Sequence, residues 1–115
     1  MTILYGIPNC DTVKKARQWL ATHHVTYQFY DLKKSGITRP TLNNWIDKIG
    51  MDSLINRRGT TWRMLSETKK NSLDKNAYIK LICKYPTLIK RPVIDTGAQI
   101  LVGFDQEKYK HVFSK

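Results

Sequence analysis

The chain has 115 residues, enough for one modest core, and its 41% hydrophobic and 25% charged content is that of an ordinary globular protein. A formal net charge of +11 points to anionic partners, while the spread of lysines and arginines in pairs excludes a basic DNA-binding arm. No apolar run is long enough to cross a membrane, and two distant cysteines exclude a disulfide framework.

Met1-Thr2 leads straight into a strand, so no secretory signal is expected and a reducing, cytoplasmic setting is the expectation. Thr2 to Tyr5 reads as the first strand. Gly6 and Pro8 punctuate a short loop ending at Cys10, and Asp11 and Thr12 are N-cap types opening a helix to about His23, with Val13, Ala16 and Leu20 on one face. Cys10 thus stands where unpaired helix N–H groups and the positive end of the dipole favour a thiolate. His23 and His24 are adjacent on the helix, do not face one another and make no metal site.

Val25, Tyr27 and Phe29 alternate with polar neighbours and predict a second strand to Tyr30, parallel to the first through a right-handed crossover. Asp31 to Gly36 reads as a polar loop. From Thr38, with Pro40 in the first turn, Leu42, Trp45, Ile46 and Ile49 predict a helix closed by Gly50. Met51 to Leu65 is less regular. It holds Asn56-Arg57-Arg58-Gly59-Thr60-Thr61-Trp62, in which the two guanidinium groups suit an anion and a capped surface loop is the alternative.

Asp74 to Lys84 reads as a helix with Ala77, Tyr78, Leu81, Ile82 and Tyr85 on one stripe. Ile79 and Cys83 fall on the opposite side, so Cys83 is expected to be a small buried hydrophobe. Pro86 ends the helix. Val93-Ile94 and Ile100-Leu101-Val102 form a predicted hairpin through Thr96-Gly97-Ala98, and Asp105 caps a last helix with Tyr109, Val112 and Phe113 inward.

This order, β-α-β, a helical segment, then α-β-β-α, resembles a thioredoxin-like α/β fold with a mixed sheet and an inserted helical segment at about residues 37–73, all within one domain spanning residues 1–115. Four stretches resemble the arsenate reductase-like family, the ArsC/Spx/YffB group. They are Tyr5-Gly6-Ile7-Pro8-Asn9-Cys10-Asp11-Thr12, Asn56-Arg57-Arg58-Gly59-Thr60-Thr61-Trp62-Arg63, Leu88-Ile89-Lys90-Arg91-Pro92 and Leu101-Val102-Gly103-Phe104. The first two are most similar to the YffB branch.

The resemblance implies that Cys10 is the nucleophile, that Arg91 directs its guanidinium at it and that Pro92 is the fold's cis-proline. It also implies that Arg58, Asn9 and Thr12 help to bind substrate. Two departures accompany it. Gly103 stands where arsenate reductases carry a third arginine, and Val13 stands where Spx regulators carry the second cysteine of their switch.

The expected function is therefore a monothiol reductase acting on a disulfide or oxyanion-type substrate. Glutathione or another small thiol serves as co-substrate, and no cofactor or metal is bound. The alternatives are arsenate reduction with glutathione and glutaredoxin, or an Spx-like regulator that binds RNA polymerase, and the basic surface of the chain suits an acidic surface on a partner protein. A membrane partner is not expected, and nothing indicates nucleic-acid reading.

Overall fold

A computed structural model describes residues 1–71 and 74–113. The chain forms two compact units, one of residues 1–31 with 91–115 and the other of residues 32–90. The expected end of the helical insertion, at about residue 73, lies outside the described residues.

The first unit is a mixed four-stranded sheet with two helices. Its elements are β1 (Ile3–Gly6), α1 (Asp11–Thr22), β2 (Gln28–Asp31), β3 (Val93–Asp95), β4 (Ile100–Val102) and, after the second unit's six helices, α8 (Gln106–Phe113). The strand order is β2-β1-β3-β4. β1 pairs parallel with β2, Leu4 opposite Phe29, and antiparallel with β3, Leu4 opposite Ile94. β3 and β4 form the expected hairpin, whose turn is closed by Gly97 N–H donating to Asp95 and by Thr96 Oγ1 accepting from Ala98 and Gln99. Gly97, at φ 91°, takes the left-handed conformation that this tight connection demands.

One face of this sheet, the α1 stripe and the inward side of α8 make a single core of Leu4, Val13, Ala16, Leu20, Ile94, Leu101 and Tyr109. Each fully buried aliphatic side chain there contributes about 1.5–3 kcal/mol by leaving water. Tyr109 sits among aromatic edges, with ring centroids 5.5 Å from Trp19 and 5.2 Å from Phe104, both T-shaped. Asp105 accepts from the Glu107 and Lys108 backbone N–H groups and so caps α8 as expected.

The second strand is shorter than its alternation suggests. Val25 N–H bonds back to the Leu20 carbonyl and closes the helix end, so residues 25–27 lie outside the ladder although Val25, Tyr27 and Phe29 all pack on the core.

In the second unit, α2 (Leu32–Ser35), α3 (Arg39–Ile49), α4 (Met51–Leu54), α5 (Thr60–Arg63), α6 (Glu67–Asn71) and α7 (Lys75–Lys84) are followed by a 3-10 turn, Pro86–Leu88. Here α2 replaces the expected polar loop, because Leu32 is fully buried and anchors one helical turn. α3 has the expected caps. Thr38 Oγ1 accepts from Thr41 N–H, and Gly50, at φ 83°, ends the helix. Asp74 caps α7 by accepting from Ala77 N–H.

α3 and α7 pack against one another, and α7 packs against the 3-10 turn, burying Leu42, Trp45, Tyr78, Ile82 and Leu88. Two expectations for α7 need correction. Cys83 is half-buried rather than enclosed, and Tyr85 is the C-cap, 37% exposed, because the chain turns away at Pro86.

Candidate active site

Cys10 itself, not Asp11 or Thr12, is the N-cap of α1. Its backbone is extended, at φ −88° and ψ 124°, and no side-chain hydrogen bond caps the helix. The loop holds it there from both sides. Cys10 N–H donates to the Ile7 carbonyl at 3.1 Å, and the Cys10 carbonyl accepts the first intrahelical bond from Lys14 at 3.0 Å. The sulfur therefore stands beside the open N–H groups of the first turn, at the position from which a Ser or Asp side chain usually caps a helix.

Its electrostatics follow. Partial burial pushes the Cys10 thiol up. The Val13 backbone N–H, the hydrogen bond and positive charge of Arg91, and the Thr12 backbone N–H outweigh it, and the thiol lies below its ordinary value. Arg91 comes from the far end of the sequence through the strand pairing. β3 lies beside β1, and the Arg91–Pro92 bond just before β3 is cis, as the resemblance implied.

Of the candidate site residues, Cys10, Asn9, Thr12, Arg91 and Pro92 lie in the sheet unit, and Cys10 and Arg91 are brought together there. Asn9 is exposed in the turn before the cysteine, and Thr12 contributes its main chain to the sulfur rather than a described side-chain bond. Arg58 belongs to the helical unit and is exposed. Its N–H donates to Asn56 Oδ1 and its carbonyl accepts from Arg63. The neighbouring Arg57 does not stand open for an anion, since it pairs with Asp52 at 3.0 Å and lies over the Trp62 ring.

Two contributors were missed by sequence reasoning. Val13, expected on the apolar face of the helix and as the position of an absent second cysteine, also supplies a main-chain donor, which any residue type can do and no side-chain pattern announces. Gly6, read as loop punctuation, allows β1 to approach α1, since a Cβ there would lie 2.9 Å from both Val13 methyl carbons.

His23 is no ligand. Its ring stacks on Trp19 at 3.8 Å and its Nδ1 donates to the Trp19 carbonyl. Among the described residues no cluster of three or more His, Cys, Asp or Glu could hold a metal ion, and no helix is long and apolar enough to cross a membrane.

The chain is similar to a solved YffB protein, 44% identical, over 99% of this chain and all of that one, with a TM-score of 0.94. An arsenate reductase (ArsC) related protein from Brucella melitensis is 38% identical over 99% of this chain and 95% of that one, with a TM-score of 0.77. The global transcriptional regulator Spx of Streptococcus pyogenes is 27% identical over the whole chain and 87% of its own length. The profile of the ArsC family matches residues 5–112, and the chain, with its thioredoxin-like sheet, belongs to that family.

Proposed function

We propose that the protein is a glutathione-dependent monothiol reductase with Cys10 as nucleophile. The observation that carries this reading is the Cys10 sulfur at the α1 N-terminus, with two backbone N–H groups and Arg91 directed at it. On a glutathionylated substrate, the Cys10 thiolate attacks the glutathione sulfur. The substrate leaves as its thiolate and a Cys10–glutathione disulfide forms. A second glutathione thiolate then attacks that disulfide, restoring Cys10 and releasing oxidised glutathione, a balanced two-electron reduction. Val13 stands at the fourth position of the Cys10-Asp11-Thr12-Val13 segment, so no neighbouring thiol there competes with the external one.

In this reading Arg91 stabilises the thiolate and binds a glutathione carboxylate. Asn9 and Thr12 line the approach to the sulfur, and Pro92 shapes the opposite wall. An oxyanion substrate uses the same cysteine and Arg91. Arsenate is the weaker fit because Gly103 offers no third guanidinium.

The test is intact mass after incubation with oxidised glutathione, for the wild type, Cys10→Ser and Cys83→Ser. A single adduct that survives Cys83→Ser and vanishes in Cys10→Ser supports the reading. Slow, equal labelling of both cysteines sinks it.

A second reading is favoured by the Spx relative, which matches along the whole chain. In it the protein is a regulator that contacts the transcription machinery. RNA polymerase retained equally by wild type and Cys10→Ser, with no glutathione adduct, would put this reading first.

A further inference from the structure

Behind Arg91 lies a hydrogen-bonded chain that ends in the core. Gly103 N–H donates to the Pro92 carbonyl at 2.8 Å, tying the exit of β4 to the Pro92–Val93 peptide unit, one residue beyond Arg91. Gly103 in turn offers its own carbonyl to the Tyr109 hydroxyl at 2.6 Å, the shortest of the side-chain hydrogen bonds named here. Tyr109 is 1% exposed, and its ring is fixed among Trp19, Phe104 and Phe113.

A buried phenol would not stand in this core without a partner, and the Gly103 carbonyl is the one it has taken. At φ 80°, Gly103 is held in a left-handed turn with a bond on each side, so its position is set from α8 and transmitted to Pro92. We infer that Tyr109 is a positioning residue for the Cys10–Arg91 pair, acting through Gly103 and Pro92. It touches neither sulfur nor guanidinium. The inference rests on the thiolate reading above.

The groups that face the Cys10 sulfur, the Val13 and Thr12 N–H groups and Arg91, are unchanged in Tyr109→Phe, which removes one oxygen and keeps the ring. The readout is the pH profile of Cys10 alkylation by iodoacetamide. Tyr109→Phe is expected to slow alkylation about five-fold at pH values below the wild-type midpoint, the worth of one hydrogen bond, with the profile moved to higher pH.

In an Arg91→Ala background the same change is expected to have no further effect. Val112→Ala, a destabilising change on the same helix that leaves the hydroxyl, is expected to leave the profile in place. A Tyr109→Phe profile identical to wild type, or one that Val112→Ala reproduces, overturns the inference. Should Tyr109→Phe fail to fold, the Gly103 amide resonance of the wild type decides. It should titrate with the midpoint of Cys10, and an amide that stays still overturns the inference. A wild-type profile with the midpoint of a free cysteine, about 8.5, would instead remove the thiolate reading itself.

Discussion

A methyl group on Gly6 would lie 2.9 Å from both γ-carbons of Val13, so the last residue of β1 and the first turn of α1 meet with no room for a side chain. Cys10 sits on the loop between them, and the Val13 N–H is one of the groups turned toward its sulfur. Gly6→Ala must push Val13 aside in a core where Val13 is fully buried. The expected destabilisation is about 1–3 kcal/mol, as for other overpacked sites, read from thermal or urea unfolding. Displacing Val13 also turns its N–H from the sulfur, so alkylation of Cys10 at neutral pH should slow. Unchanged stability and unchanged reactivity together would show that the contact relaxes freely.

Arg91 faces the same sulfur with a full charge. Arg91→Ala removes a charge-assisted hydrogen bond of about 1.5–3 kcal/mol, so at pH values below the wild-type Cys10 midpoint, where the rate follows the thiolate fraction, alkylation should fall about 10- to 100-fold. The sign reverses at high pH, because the less stabilised thiolate is the more basic and more nucleophilic one. Above the free-thiol value the variant should match or exceed the wild type. A profile that drops uniformly at all pH values would mean that Arg91 binds reagent rather than holding the thiolate.

The lowered Cys10 value also makes folding pH-dependent. With the folded value below the unfolded one, the stabilisation is fully present above the unfolded value and is lost as pH falls through the folded one. Unfolding free energy should therefore rise with pH between the two values in the wild type, and this slope should be absent in Cys10→Ser. Parallel pH–stability curves for the two proteins would count against an ionised Cys10 in the folded state.

Gly103 adds a structural reason for the missing third arginine. Its φ of 80° is left-handed, and although a Cβ there would touch nothing within 4 Å, the backbone conformation disfavours every other residue. Gly103→Arg should therefore cost about 1–2 kcal/mol of stability while loosening the bonds to Pro92 and Tyr109. It is expected to yield no gain in arsenite in a coupled assay with glutathione. A stable Gly103→Arg variant that reduces arsenate would reverse this.

How much of this could be read beforehand depended on range. The hairpin and the capped helices α3 and α8 rest on local signals, and each formed where its turn and cap residues placed it, whereas at α1 Cys10 took the N-cap place expected of Asp11 or Thr12. α2 did not announce itself, because one buried leucine in four residues carries no periodicity and a single turn cannot nucleate alone. The half-burial of Cys83 and the exposure of Tyr85 depend on how α7 leaves its neighbours at Pro86, which spacing along the helix does not encode. At the site, the helix-start pattern marked Cys10, and the family resemblance marked Arg91. The donors from Val13 and Thr12 and the Gly103 carbonyl are main-chain groups, invisible to residue identity.

In the helical unit, Trp62 lies between two cations, with Arg57 and Lys70 each 5.5 Å from its ring. Arg57 also reaches Asp52 and Lys70 reaches Glu67, so the ring ties the Asn56–Thr60 turn to the last turn of α6. Partly exposed cation–π contacts contribute about 0.5–1 kcal/mol each, so Trp62→Leu gives up about 1–2 kcal/mol of local order. Opening of the turn should become about 5- to 30-fold more frequent. Trypsin reads this directly, because it cuts after Arg57 and Arg58 and, under native conditions, its rate follows the open population. Cleavage at these two arginines should accelerate by that factor, with cleavage at Lys108 and Lys110 in α8 unchanged. Equal acceleration at all four sites would signal global destabilisation, and no acceleration would leave the Arg57–Asp52 pair and the Asn56 side chain as the groups that hold the turn.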